Sequence, residues 1–318
     1  MCGIAGFTSE NWNPDPDRIR KAAATLIHRG PDEQEVFRSQ FCSMGATRLK
    51  IIDLDSQAEN IFKLNAKPIA CIVLPTYNEA SNLKELLPRI FEQQQRIFSH
   101  QLHVLVVDDN SPDGTALVVE QFRERYPFLH IIHGEKKGLG DAYKRGIRHA
   151  MDLFNPELIL SMDADLQHDP VLLPQMIEAC SQGYTLVIGS RYVHGARVLN
   201  FSGWRTLLSH TGNSMIRWAG DLKIQDCTSG YRAIRRELLL TCDLEELSTR
   251  GYSFLSALLC QLIWNGARVL ELPITFGVRG HGKSKLAIRD QAEFLGRVTR
   301  IFFLRRQVTS ATDAERVK

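Results

Sequence analysis

Two carboxylates stand two residues apart in SMDADLQHDP, Asp163 and Asp165, at the end of an apolar run. In an extended chain, residues i and i+2 project to the same side. Gln167 continues that spacing with a third oxygen if the extension persists. Hard oxygen donors suit Mg2+ or Mn2+, which take a few carboxylates and complete their shell with substrate phosphates. The pattern is short, and a solvated acidic loop fits it equally well.

Other clusters carry polar groups at comparable places. VVDDNSPDGT ends an apolar run with two acids and turns through Ser-Pro-Asp-Gly into a helical pattern. Asp109 could accept hydrogen bonds there from a ribose or base; a turn with an Asp cap is the plainer reading. In LPTYNEASNL, Tyr77 could stack on a base and Glu79 accept its N–H groups, or the stretch is a strand end and helix cap. EKKGLGDAYKRG sets Gly138 and Gly140 at a helix start beside Lys136 and Lys137. Glycines permit close backbone approach and a helix N-terminus attracts phosphate, although an ordinary loop has the same composition. Arg191 lies in GSRY, and Arg279, Lys283 and Lys285 lie in VRGHGKSKL, a basic loop that could close over an anionic ligand or remain solvated. No Ser-His-Asp order or HExxH motif points to hydrolysis.

The elements that must position these groups are legible from periodicity. IACIVLP, HVLVVDD, LHIIHG, LILSMDAD, TLVIGSR and ARVLELPITF predict buried strands. Between them, SNLKELLPRIFEQQ carries Leu83, Leu86, Leu87 and Ile90 on one helical stripe, with Ser81 as expected N-cap and Pro88 as a possible kink. TALVVEQFRERYP and LGDAYKRGIRHAMDLF read likewise. This alternation predicts an α/β fold, a largely parallel sheet with helices on both faces. The three clusters TYNEA, DDNSPDGT and DADLQHD follow strand C-termini, where open α/β sheets bind ligands, so they converge on one site.

The 318 residues carry 39 Lys and Arg against 36 Asp and Glu, a net +3 that gives no reason to expect nucleic acid. The seven cysteines form no CxxC pair, which argues against a disulfide scaffold or structural zinc and for a reducing cytosolic setting. Asn11–Asp17 is polar where a signal peptide would be apolar. GYSFLSALLCQLIWNGA, interrupted by Gln261 and Asn265, reads as a buried core helix rather than a membrane span. Composition divides the chain into residues 1–60, a polar join at 61–68, an alternating α/β region at 69–286 and a basic tail at 287–318.

LPTYNE, VDDNSPDGT, KGLGDAYKRG, MDADLQHDP, GSRY, DCTSGYRA and RGHGKSKL occur in this order over about two-thirds of the chain. The set resembles the polyprenyl (dolichyl) phosphate mannosyltransferases, inverting glycosyltransferases of the GT-A fold. The resemblance implies that Pro75, Tyr77, Glu79, Val107 and Asp109 hold the nucleoside of GDP-mannose. Asp163, Ala164 and Asp165 would hold ribose, sugar and metal-bound diphosphate, and Gln167 would complete the Mg2+ or Mn2+ site. Arg191, Arg279 and Lys285 would face phosphates, with Asp165 and Arg191 central to transfer. Arg205, Asp226, Ser229 and Arg232 would lie on the acceptor side, toward a polyprenyl phosphate. UDP-glucose is the alternative donor.

MCGIAGF, HRGPDE and TRLKIIDLD also occur in one order and resemble the start of the class II glutamine amidotransferase domain, as in glutamine-hydrolysing asparagine synthetases. There Cys2, made N-terminal by methionine removal, would be a nucleophile with its own amine as base, and Arg48 would bind the glutamine carboxylate. The later parts of that two-layer domain are missing, so a truncated Ntn-type segment with a vestigial Cys2 is expected; a working glutaminase is the rival of another class. At the other end, Leu295, Val298, Ile301, Phe302 and Leu304 interleave with Arg297, Arg300, Arg305 and Arg306. A basic amphipathic helix of this kind predicts either peripheral contact with a membrane surface on the cytoplasmic face, with or without a membrane-embedded partner, or a helix docked on the sheet.

Overall fold

The apolar runs at 69–76, 101–108, 158–161 and 186–190 are buried strands, whereas those at 129–133 and 269–273, expected to be buried, are half-buried because they form the two edges of their sheet. A computed structural model of the chain describes residues 3–8, 21–22, 24–26, 33–38, 42–48, 67–199, 203–245, 247, 253–277, 298–299, 301–302 and 305. It divides into two units, Met1–Ala66 and Lys67–Lys318. In the first, strands β1 (Gly3–Thr8), β2 (Glu33–Arg38) and β3 (Cys42–Arg48) form an antiparallel sheet with β3 in the middle.

The second unit is built on β4 (Ile69–Thr76), β5 (Gln101–Asp108), β6 (Leu129–His133), β7 (Leu158–Ser161) and β8 (Leu186–Ser190). The short β9 (Arg197–Val198), β10 (Arg232–Arg235), β11 (Val269–Pro273) and β12 (Thr275–Phe276) complete it. Seven of these strands make one sheet in the order β11-β8-β10-β7-β4-β5-β6; β12 and β9 pair separately. The chain winds outward from β4 through β5 to β6, then returns to place β7 on the other side of β4. That reversal creates a crevice at the strand C-termini.

Along β4, Ala70, Ile72 and Leu74 enter one core while Cys71 and Val73 enter the other, as the two-residue strand period requires. The first core is closed by α1 (Ala80–Glu92), α2 (Thr115–Arg123) and α4 (Leu173–Ser181). The second is closed by α3 (Leu139–Phe154), α5 (Gly203–Gly220) and α7 (Ser253–Trp264), with the short α6 (Arg236–Leu239) also contributing Leu238 and Leu239. Helix α7 is the buried helix expected from its sequence; Phe254, Leu255, Leu258, Leu259 and Leu262 lie in the core.

Two local expectations give way. Ser81 does not cap α1; the N-cap position is Glu79, without a side-chain cap bond. The exposed N–H groups are satisfied from a distant turn: Glu79 N donates to Thr115 Oγ1 at 3.1 Å, and Ala80 N to Asp113 Oδ2 at 3.0 Å. Strand β10, absent from the sequence reading, runs antiparallel between β7 and β8. Pro88 lies within α1, which continues to Glu92.

Helix α3 sits so close to the sheet that a Cβ on Gly146 would lie 2.5 Å from Val73 Cγ1 and 2.7 Å from Val107 Cγ2. Gly146→Val should therefore destabilise the fold by about 1–3 kcal/mol through overpacking. Urea unfolding checks this: the midpoint should fall at unchanged slope. A wild-type midpoint would contradict the close approach.

Candidate functional site

The crevice begins with the turns after β4 and β5. Asp108 organises them: it accepts from Thr76 Oγ1 at 3.1 Å, Ser111 N at 3.0 Å and Ser111 Oγ at 2.5 Å. Asn78 N reaches the same Ser111 Oγ at 2.9 Å, which fixes Asn78 in the left-handed region at φ 59°. Asp113 accepts from both the backbone and hydroxyl of Thr115. Burial opposes its ionisation, but these bonds and that from Ala80 hold its carboxyl below the usual value. The first and last acids of DDNSPD thus fix the loop, leaving Asp109 as the acid between them with another partner.

That partner is Arg145 of α3, whose Nη2 meets Asp109 Oδ1 at 2.5 Å. Burial raises the Asp109 pKa, and the guanidinium only partly offsets it. Tyr77 faces Lys136, whose Nζ lies 3.5 Å from the ring centroid, so one ring face already carries a cation–π contact. Glu79 accepts from Asn82 Nδ2 at 2.5 Å. Pro75 and Val107 are neighbours in the sheet register and both are buried; the Val107 side chain faces Gly146. Its side chain therefore belongs to the core, and any part Val107 plays toward a nucleoside falls to its backbone.

The DxD segment leaves β7 and does not stay extended. Leu166 takes φ 66° and Gln167 N donates to Asp165 Oδ1 at 3.1 Å. A left-handed leucine costs roughly 1–3 kcal/mol. The expected i, i+2, i+4 line of oxygens is thereby bent. Gln167 Nε2 donates to Gly277 O at 3.0 Å, and Gly277 N donates to Gln167 O at 3.0 Å, tying this loop to the residue after β12. Asp163 meets Tyr143 OH at 3.3 Å, and a Cβ on Gly230 would lie 3.3 Å from its Oδ1. Ala164 and Asp165 are buried.

His168, absent from the sequence expectations, anchors this bend. Its Nδ1 accepts from Asp163 N at 3.2 Å, and its ring stacks on Tyr231 and meets Phe276 edge-on. Burial pulls its pKa down to about 4 against the pull of Asp165. The ring is therefore neutral near pH 7, and the bond from Asp163 assigns its proton to Nε2.

Arg191 and Asp226 form a buried bidentate ion pair. Arg191 Nε and Nη2 each lie 2.7 Å from a different Asp226 oxygen, Arg191 N donates to the same carboxylate at 3.0 Å, and Nη2 also reaches Thr228 Oγ1 at 2.6 Å. Burial works against both charges, yet the mutual bonds keep Asp226 below its ordinary pKa and Arg191 above its own. Two residues expected to face opposite substrates are thus one unit. Asp163 lies within electrostatic reach of Arg191.

Ser229 and Arg232, the other expected acceptor-side residues, bond to the backbone. Ser229 Oγ donates to Gly189 O at 2.6 Å and is buried. Arg232 is fully buried, with Nη1 on Leu255 O at 2.5 Å and Nη2 on Cys227 O at 3.1 Å. Burial lowers its pKa to about 10, so it remains a cation near pH 7, turned to two backbone carbonyls. Both are cross-links of the loop that carries Asp226. Cys2, Arg279 and Lys285 lie outside the described residues, as does the side chain of Arg205. Cys71, Cys180, Cys227, Cys242 and Cys260 are free, and burial raises the thiols of Cys180, Cys227 and Cys260 to about 12, which disfavours the thiolate there.

The described residues contain no group of three or more His, Cys, Asp or Glu able to hold a metal. Two carboxylates and an amide at Asp163, Asp165 and Gln167 fit instead a hard cation whose shell is completed by substrate phosphate.

Residues 71–241 match the glycosyl transferase family 2 model, and residues 1–99 match that of the glutamine amidotransferase domain. The matches overlap on β4 and α1, which belong to the seven-stranded sheet and its first core. Polyprenol monophosphomannose synthase of Mycolicibacterium smegmatis is 39% identical over 218 residues, covering 68% of this chain and 80% of that protein. Dolichol-phosphate mannosyltransferase of Pyrococcus furiosus is 36% identical over 233 residues, 72% of this chain and 62% of that protein. Undecaprenyl-phosphate mannosyltransferase of Micrococcus luteus is 36% identical over 229 residues, 72% and 91% respectively. Among solved structures, glucosyl-3-phosphoglycerate synthase from Mycobacterium tuberculosis, in complex with Mn2+, UDP and phosphoglyceric acid, aligns with TM-score 0.54 at 17% identity, covering 76% of this chain and 79% of that one. Mannosyl-3-phosphoglycerate synthase from Rubrobacter xylanophilus aligns with TM-score 0.53 at 19% identity, 76% and 75%. These structural likenesses carry the GT-A-like fold. The family model spans more than half of the sequence and the first of these relatives is covered for most of its length, so the chain belongs to glycosyl transferase family 2 and is a glycosyltransferase.

Proposed function

We propose that this glycosyltransferase moves mannose from GDP-mannose to a polyprenyl phosphate, with inversion at the anomeric carbon. The observation that carries the reading is the joining of the DxD loop to the Arg191–Asp226 unit at one end of the sheet. It is supported by the names of the three relatives, each a transferase of mannose to a polyprenyl-type phosphate or the synthase of its product. UDP-glucose is the rival donor.

The chemistry needs little from a general base. A phosphate monoester has its second pKa near 6 and is largely ionised at neutral pH. Its oxygen forms the new bond to the anomeric carbon as the bond to the diphosphate breaks and the diphosphate leaves with the electron pair. Asp163, Asp165 and Gln167 would hold Mg2+ or Mn2+, which would offset the charge of the leaving diphosphate. Arg191, kept cationic by Asp226, would lower the repulsion between the two anionic substrates. Tyr77, Glu79 and Asp109 line the nucleoside end after β4 and β5.

A lipid acceptor needs a surface at which to be met. Helix α5 is amphipathic twice over: Ile216 and Ala219 are buried, while Leu207, Leu208 and Trp218 are exposed. Leu207 and Trp218 are eleven residues apart and so share a helix face. Trp218 stacks on Phe302 with centroids 5.4 Å apart. Asn213 of the same helix accepts from Cys227 N at 2.7 Å, beside Asp226. We assign the exposed face to peripheral contact with a cytoplasmic membrane surface. Among the described residues no helix is long and apolar enough to cross a membrane.

Transfer of labelled sugar to polyprenyl phosphate should proceed from GDP-mannose, stop with EDTA and return with Mg2+ or Mn2+. Asp165→Asn should lose at least about a hundredfold in rate, a scale set by electrostatic contacts to a transition state; retained transfer would sink the proposal. Cys2→Ala should leave transfer unchanged. Asp226→Asn should destabilise the fold by about 3–5 kcal/mol, because Arg191 is left buried without its counter-charge. A joint Arg191→Met, Asp226→Leu protein should recover most of that stability in urea melts yet transfer little sugar. Wild-type transfer by that protein would remove Arg191 from the mechanism.

A further inference from the structure

Arg145 is held by more than Asp109. Its Nη1 lies 2.7 Å from Asp141 Oδ2, one turn earlier on α3, while Nη2 holds Asp109. Its Nε is buried and has no hydrogen-bond partner among the described residues. The guanidinium lies against Gly134, just past β6; a Cβ there would be 2.3 Å from Arg145 Cζ. Gly134 is itself pinned, its N–H donating to Asp108 O at 2.9 Å. Any side chain at 134 would evict the guanidinium from beside Asp109.

The consequence is a fixed pair, carboxylate beside guanidinium, at the mouth of β5 and β6 close to the turn that carries Tyr77. Such a pair offers a donor next to two acceptor oxygens. The Watson–Crick edge of guanine is its complement: O6 accepts, while N1–H and the 2-amino group donate. Uracil has one donor, N3–H, between two carbonyls, so its second carbonyl would oppose a carboxylate oxygen. Adenine and cytosine present a donor where the guanidinium stands. A bidentate guanidinium or carboxylate contact discriminates between bases because the wrong edge leaves buried groups unpaired.

We propose that Arg145 is a specificity residue of the donor site, which together with Asp109 selects guanine over uracil. The inference rests on reading the β4–β6 end as the nucleoside end of that site, and it turns the choice between GDP-mannose and UDP-glucose into a property of one ion pair. Asp109 reads the two guanine donors. Arg145 reads O6 and fixes the rotation of the carboxylate, and Asp141 holds Arg145 from outside.

Calorimetric titration of the full chain with GDP, IDP and UDP in the presence of Mg2+ tests this. The wild type should bind GDP tighter than IDP, which lacks the 2-amino group, and IDP tighter than UDP. Arg145→Met should cut the GDP-to-UDP affinity ratio by about tenfold or more, chiefly by weakening GDP. Arg145→Lys, which keeps the charge but not the fork, should fall between. Asp141→Asn, a milder change should Arg145→Met fail to fold by circular dichroism, should lower the ratio by a few fold. An unchanged ratio in folded Arg145 or Asp141 variants would overturn the role of Arg145 and leave the GDP-mannose reading standing. A wild type that prefers UDP would overturn both.

Discussion

A carboxylate fully sealed from solvent and bonded twice to a guanidinium, Asp226 to Arg191, governs how the rest of the site is assembled. Such a pair repays its desolvation only if every remaining valence is satisfied. The surroundings show what that demands. Asp226 also accepts from Thr228 N and Arg191 N, and its own N–H donates to Glu271 on β11 at 2.9 Å. Ser229 and Arg232 lock the same loop to Gly189, Leu255 and Cys227. The geometry of the ion pair is thus held by the backbone and side-chain groups packed around it. The arrangement explains how a loop between α5 and β10 can hold a buried carboxylate against a guanidinium.

The pair also communicates with the DxD loop by contact rather than by charge alone. Arg191 lies over the Phe276 ring at 5.3 Å, Phe276 meets His168, and His168 holds Asp163 N. A neutral imidazole is the right group for this place: it accepts from a backbone N–H and stacks on Tyr231 without adding a third charge to a crowded site. The left-handed Leu166 is kept in place by what surrounds it, including the two-way bond between Gln167 and Gly277. Strain held in this way is common at sites that must present ligands before the substrate arrives.

Much of this architecture could be read in advance because its signals are local. Strands buried on both faces read as near-continuous apolar runs, and Ala70–Leu74 of β4, Val104–Val107 of β5, Leu158–Leu160 of β7 and Leu186–Ile188 of β8 are such runs. Helix α3 was legible to both ends from its stripe of Ala142, Tyr143, Ile147 and Ala150. Other features depend on residues far away in sequence. The cap of α1 comes from Asp113 and Thr115, so nothing near Ser81 could reveal it. Strand β10 begins with a fully buried arginine, which reads as a surface residue until the carbonyls of Leu255 and Cys227 are known. No glycine marks the turn at Leu166, so extension through Gln167 was the natural reading. Asp109 illustrates the limit most directly: its type predicts an acceptor, but its partner Arg145 lies 36 residues on.

The two family matches meet on β4, and the physics of that strand decides what it is part of. Its residues are buried on both faces, it bonds to β5 on one side and β7 on the other, and α1 packs directly against it. A central strand cannot be lent to another sheet without opening both ladders and both cores. The likeness to the amidotransferase domain beyond Ala66 is therefore one of sequence, while the hydrogen bonds and burial of residues 69–92 serve the sheet whose rim carries Asp109, Asp163 and Arg191. An N-terminal nucleophile draws on the whole of its own domain for its oxyanion donors, and each missing donor costs roughly 2.7–4 kcal/mol of transition-state stabilisation. Residues 69–92 are committed by their ladders and their core to the seven-stranded sheet, and are not available to complete a second domain.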